Sequence, residues 1–202
     1  MTLRVGLTGG IASGKSTILA LFARFGCWTL DADKLVAELY RPGQPGHAAL
    51  IRTYGERILR PDGEVDRVAL ANIAFATPGD ARKLNALIHP IVIEETERRL
   101  ATVQEEIAVV EATLLLEAGG RQRYDRIVVI DVDPAVQIER GVARGMAEEE
   151  VRRRLANQMP REERLRHADY VIDNSGDLAQ AERETARVVE ALRQDAPANR
   201  DR

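Results

Sequence analysis

A chain of 202 residues, 45% of them hydrophobic, can bury a core of its own, which excludes wholesale disorder. A formal net charge of −3 excludes the broad basic excess of a nucleic-acid binder, so any phosphate must be gripped by a local site. The single cysteine, Cys27, excludes an internal disulfide and reads as a small core residue. No apolar run reaches the ~18 residues of a bilayer span, and the opening residues lack a signal-peptide pattern. A cytoplasmic protein with no membrane partner is expected.

In chain order, residues 4–8 read as the first strand. They run into Gly9-Gly10-Ile11-Ala12-Ser13-Gly14-Lys15-Ser16, which fits G-x-x-x-x-G-K-[ST], and a helix is expected over 15–25. Glycines let such a loop curl so that successive N–H groups, from Gly10 through Gly14 and on to Thr17, face phosphate oxygens. The helix N-terminus adds its positive dipole end. Lys15 should reach the β- and γ-phosphates, and Ser16 should offer a hydroxyl to Mg²⁺ with Thr17 beside it. Lysine occurs only at 15, 34 and 83, so its place in the loop is hard to ascribe to chance.

A second strand is expected over 28–30, followed by Asp31-Ala32-Asp33. Parallel α/β sheets bind ligands beyond the carboxyl ends of their strands. Residues two apart point to one side if the chain is still extended. One of these carboxylates can orient an attacking hydroxyl. The other can hold Mg²⁺-bound water, and Asp33 can equally cap the next helix.

From 34 to 104 the pattern is helical, over 34–39, 47–54, 67–75 and 80–103, too long for a simple crossover. His89 precedes Pro90, which predicts a helix break or fixed turn. His89 reads as structural or substrate-lining ahead of acid–base chemistry. Strands at 107–110 and 126–132 follow, then a helix over 135–144. Residues 140–166 are rich in Arg and Glu and read as a helical lid that includes a helix over 148–158. Arg140 and Arg144 lie four apart and share a helix face, where arginines can meet charge on a transferring phosphoryl group. Arg161 is a further candidate, and a solvated face is the bland reading for most of this stretch. The last strand is expected over 170–172, the last helix over 178–193, and a frayed tail over 195–202.

Near-continuous Val, Ile and Leu runs alternating with helices predict a three-layer α/β fold around a parallel sheet. The core falls at 1–33, 105–139 and 167–194. A phosphate loop alone leaves two classes open, a small-molecule kinase and a nucleotide-dependent switch or ATPase. A GTPase would need Asn-Lys-x-Asp, and no Asn-Lys pair occurs.

The run Gly6–Ile11 with Ser13–Thr17, then Asp31-Ala32-Asp33, Leu87-Ile88-His89-Pro90, Leu114–Glu117, Val129–Val132, Gln158, Arg161 and Ala168–Asn174 resembles the dephospho-CoA kinase family over nearly the whole chain. The resemblance implies a P-loop core with a five-stranded parallel sheet, a helical acceptor domain over 34–104 and a lid. It implies ATP as phosphoryl donor, dephospho-CoA as acceptor and its ribose 3′-hydroxyl as nucleophile. Mg²⁺ is implied by the nucleotide, and a monomer is favoured. By resemblance Asp33 is the catalytic carboxylate, Thr8 lines the acceptor site and Arg140 is the lid-base arginine on the ATP phosphates. Two departures stand out: Ala12 where the family usually has Gly, adding a methyl group to the cradle, and Thr113 where it usually has Pro, restoring a backbone donor.

Overall fold

The apolar runs fold as β1 (Leu3–Gly9), β2 (Trp28–Asp31), β3 (Ile107–Glu111), β4 (Arg126–Asp131) and β5 (Tyr170–Asp173), each end within one residue of the expected range. All pairings are parallel, in the order β2-β3-β1-β4-β5. The central strand β1 therefore bonds on both sides, with Leu7 opposite Glu111 on β3 and Val128 on β4. The computed structural model describes residues 1–196. They form two compact units, one of Met1–Asp31 with the chain from Val103 onward, the other of Ala32–Thr102.

In the sheet unit, side-chain alternation assigns the two faces. Leu3, Val5, Leu7, Val109, Val128, Ile130 and Ile172 share one core with Ile18 and Phe22 of α1 (Lys15–Arg24) and Val188 and Leu192 of α9 (Leu178–Asp195). On the other face, Ile127 and Val129 pack with Leu115 and Leu116, against which Met159 and Leu165 lie. The Arg/Glu-rich stretch after α6 (Pro134–Ala143) is helical, but Pro160 divides it into α7 (Glu148–Asn157) and α8 (Arg161–Arg166). On α7, Arg152 pairs with Glu148 and Arg154 with Glu150, the solvated-face reading for those residues. The frayed tail needs correcting at its start. Helix α9 runs to Asp195, which accepts hydrogen bonds from Arg126 Nε (2.6 Å) and the Tyr170 hydroxyl (2.8 Å), and Ala196 is buried. Residues 197–202 of that expected tail lie outside the described residues.

The second unit consists of α2 (Ala32–Leu39), α3 (Pro45–Tyr54), α4 (Arg67–Ala74) and α5 (Pro78–Leu100). Asp66 caps α4 through the Val68 and Ala69 amides, and Thr77 caps α5 through the Asp80 amide. Leu50, Tyr54, Ile58, Leu70, Leu84 and Ile88 form its core. The expected break at His89-Pro90 does not occur: α5 continues through Pro90 to Leu100. Leu84, Ile88 and Val92 recur every fourth residue and pack into one cluster, which outweighs the single ladder bond that Pro90 removes.

Candidate phosphate-binding site

Between Gly9, the last residue of β1, and Lys15, the first of α1, the chain turns in five residues. Gly14, the N-cap of α1, has φ 87°, a left-handed conformation open to glycine without strain. Ala12 has φ 55° and is the only non-glycine with positive φ among the described residues. The sequence departure at this position therefore changes the backbone energetics of the loop as well as the width of its cradle. At Gly9 a Cβ would approach Ser13 Oγ to 2.7 Å and the Ile130 carbonyl to 2.9 Å, so the close turn excludes any side chain. The first turn of α1 carries no acidic residue, leaving its amide dipoles open to an anion. Ser13 Oγ is buried without a hydrogen-bond partner among the described residues. Lys15 Nζ lies 3.3 Å from the Gly9 carbonyl and 3.2 Å from that of Gly10, folded along the inside of the loop. Ser16 and Thr17 are exposed in the first helical turn.

Three amide side chains from distant parts of the chain hold this loop. Gln137 of α6 donates to the Ile11 carbonyl (2.7 Å), and Gln158 accepts from the Ile11 N–H (2.9 Å). Asn174, just past β5 and buried, donates to the Ser13 carbonyl (2.7 Å). Arg140 in turn donates to the carbonyls of Asn174 (2.7 Å) and Gly176 (3.0 Å), bracing the segment that carries Asn174. The sequence marks none of Gln137, Gln158 and Asn174 as a contact of the loop. Position was the available signal for Asn174, which follows the carboxyl end of a parallel strand.

The remaining expected residues fall as follows. Thr8 is buried on β1 and its hydroxyl donates to the Thr113 carbonyl at 3.4 Å. Arg144 is the C-cap residue just past α6, exposed, with no side-chain hydrogen bond among the described residues. Arg161 makes a two-pronged ion pair with Asp131 at the end of β4, both contacts 2.7 Å, which raises its pKa further. Asp31 and Glu111 stand side by side at the carboxyl ends of β2 and β3, and Glu111 is buried. Glu111 was not singled out from sequence. Its signal was again a carboxylate at a strand's carboxyl end.

Asp33 and His89 belong to the other unit. Helix α2 starts at Ala32, so Asp33 lies in its first turn, exposed, where the dipole favours a carboxylate. With Asp31 still in the strand and Asp33 in the helix, the two aspartates do not follow strand alternation. Asp33 stands at a groove of about 200 Å³ lined also by Val36, Tyr40, Arg67, Leu70 and Phe75. Burial and then Tyr54 push the Tyr40 phenol up to about 12, so it stays a neutral hydroxyl. His89 is exposed on α5.

A glycine-lined loop at an uncompensated helix N-terminus, with a lysine inside it, can hold the phosphate chain of a nucleotide. The dephospho-CoA kinase family model matches residues 3–180. A dephospho-CoA kinase from Aquifex aeolicus is 40% identical over 193 residues, covering 95% of this chain and 98% of that protein. One from Geobacter sulfurreducens is 43% identical over 183 residues, covering 89% and 93%. Among solved structures, TT1252 from Thermus thermophilus superposes with a TM-score of 0.82 at 32% identity, covering 95% of this chain and 98% of that one. With near-complete coverage on both sides and the phosphate loop inside the matched span, the chain belongs to the dephospho-CoA kinase family.

Proposed function

We propose that the chain transfers the γ-phosphoryl group of ATP to the ribose 3′-hydroxyl of dephospho-CoA, giving CoA and ADP. The observation that carries this reading is the loop Gly9–Ser16, rooted in the central strand and holding Lys15, in a chain of this family. Lys15 and the loop amides take the β- and γ-phosphates. Asp33 orients the 3′-hydroxyl and accepts its proton as the new O–P bond forms. The bond from the γ-phosphorus to the bridging oxygen breaks, and its electron pair leaves on ADP. Positioning and charge stabilisation supply most of the rate in such transfers.

The groove beside Asp33 supports a role for the second unit in holding the acceptor, with its apolar wall and the Arg67 guanidinium suited to a long molecule bearing phosphates. His89, exposed on α5, is retained as an acceptor-lining residue. In this reading Thr8 lines the acceptor site, and Arg140 and Arg144 meet the nucleotide phosphates when ATP binds. Among the described residues no group of three or more His, Cys, Asp or Glu forms a metal cage. The Ser16 hydroxyl is a hard oxygen donor in the first turn after the loop, which fits Mg²⁺ carried by the nucleotide. That ion would neutralise phosphate charge. No helix of the described residues is long and apolar enough to cross a membrane. A monomer is the favoured state.

The test is ADP release with dephospho-CoA, AMP, CMP, shikimate, adenosine or no acceptor. Turnover confined to dephospho-CoA is expected. Equal turnover without acceptor would replace this reading with an ATPase or switch.

A further inference from the structure

Arg164 on α8 is the one arginine of the described residues that is buried, at 7% exposure. A buried guanidinium normally has a carboxylate partner, because desolvating an unpaired charge is strongly unfavourable. Among the described residues its one side-chain hydrogen bond is from Nη2 to the Met159 carbonyl, 2.8 Å. Burial pulls its pKa below the ordinary guanidinium value, while Glu117 and Asp131 act on it in the opposite sense through space. Both carboxylates are engaged elsewhere: Asp131 by Arg161, and Glu117 by the Met159 N–H at 3.0 Å. The other end of the guanidinium reaches the phosphate loop. A Cβ placed on Gly10 would lie 3.2 Å from Arg164 Nη1, and Lys15 Nζ lies 3.2 Å from the Gly10 carbonyl. Two cations thus converge on one glycine of the loop, and one of them is buried without an ion-pair partner among the described residues.

We propose that Arg164 is a second fixed cation of the phosphate loop, whose counter-ion is the γ-phosphoryl group of the bound nucleotide. This rests on the kinase reading of the loop. Charge on the equatorial oxygens of the transferring group is met by Lys15 and by Arg164 from the Gly10 side. A guanidinium already desolvated and held in place by Met159 needs no reorganisation when the phosphoryl group arrives. Arg164 differs in this from Arg161, whose fork is spent on Asp131.

The experiment uses Arg164→Gln, which keeps an N–H donor for Met159 but no charge, with Arg164→Lys as the charge-retaining variant. ATP and ADP affinities are measured by calorimetry without acceptor, then turnover with dephospho-CoA. Arg164→Gln should weaken ATP about tenfold and ADP less than about threefold, and lower kcat roughly 10²-fold. Arg164→Lys should recover part of both losses. Should Arg164→Gln not fold, Arg164→Met carries the same readouts. An unchanged ATP-to-ADP affinity ratio overturns the proposal, as does failure of both neutral variants to fold, which would make Arg164 a structural anchor. The binding measurement needs no acceptor, so absence of dephospho-CoA turnover in the parent protein would refute the acceptor reading and leave this test standing.

Discussion

Replacing Asn174 by alanine removes one hydrogen bond, and its effects can be worked through from the loop outward. The lost bond is the 2.7 Å contact from the buried carboxamide to the Ser13 carbonyl. The backbone of residue 174 keeps its own bonds, to the Asp131 carbonyl and from Arg140. A buried carbonyl left without its donor costs about 1–3 kcal/mol. At a middle value of about 2 kcal/mol, the melting temperature should fall by about 4–8 °C for a chain of this size. A second effect acts on binding. Ser13 lies between Ala12 and Gly14, both at positive φ, and a left-handed non-glycine residue is disfavoured by roughly 1–2 kcal/mol. With the brace gone, the free loop can relax Ala12 out of that conformation. If relaxation gains about 1 kcal/mol, the binding-competent fraction falls to about one sixth and ATP weakens about sixfold. Differential scanning calorimetry reads the first effect and titration calorimetry with ATP the second. Adding Ala12→Gly to Asn174→Ala should restore most of the ATP affinity, because glycine holds the left-handed conformation without strain. Unchanged melting temperature and ATP affinity in Asn174→Ala would refute the account of the loop as a strained segment held by its braces.

Asp33→Asn should lower kcat by roughly 10²–10⁴-fold, with the ATP dissociation constant nearly unchanged, as steady-state kinetics beside calorimetry will report. Near-normal turnover would reduce Asp33 to a helix-dipole contact. Arg140→Ala should lower kcat more than it raises the acceptor KM, and should also loosen the segment from Asn174 to Gly176 in hydrogen exchange. An effect confined to the acceptor KM would place it at the wrong site. On α5, hydrogen bonds from Arg98 and then Arg99 hold the Glu95 carboxyl down to about 2, from an ordinary value of 4.5. A depressed carboxylate contributes stability above its unfolded value and loses it as pH falls through its folded one. The stability gap between parent and Glu95→Gln in urea unfolding should therefore hold steady above pH about 5 and close between about 4.5 and 2. A gap that persists at pH 2 would show that those bonds do not control the titration.

The central strands β1, β3 and β4 were legible because apolar runs buried on both faces leave little ambiguity, and the loop because its glycines, lysine and flanking elements are contiguous. Pro90 was misread because the local rule for proline was applied without the Leu84, Ile88 and Val92 stripe that crosses it. The braces of the loop were not legible. Gln137, Gln158 and Asn174 reach Ile11 and Ser13 across 126, 147 and 161 residues of chain, and no local pattern marks a contact of that span. The backbone demand at Ala12 was also hidden, since alanine there reads as one extra methyl group until φ is known. Arg164 lay in a run where solvated arginines are the rule, and only burial separates it from its neighbours.

The central position of β1 sets a hierarchy of protection around the loop. Its amides are paired with strands on both sides, so they exchange with solvent only when the sheet itself opens. The segments that hold the loop, α6, the turn after α7 and the turn after β5, meet it through single side chains, Gln137, Gln158 and Asn174, and each can detach in a sub-global opening that leaves the sheet intact. The strand side of the phosphate cradle is thus as durable as the whole fold, while its other rim consists of latches that open one at a time.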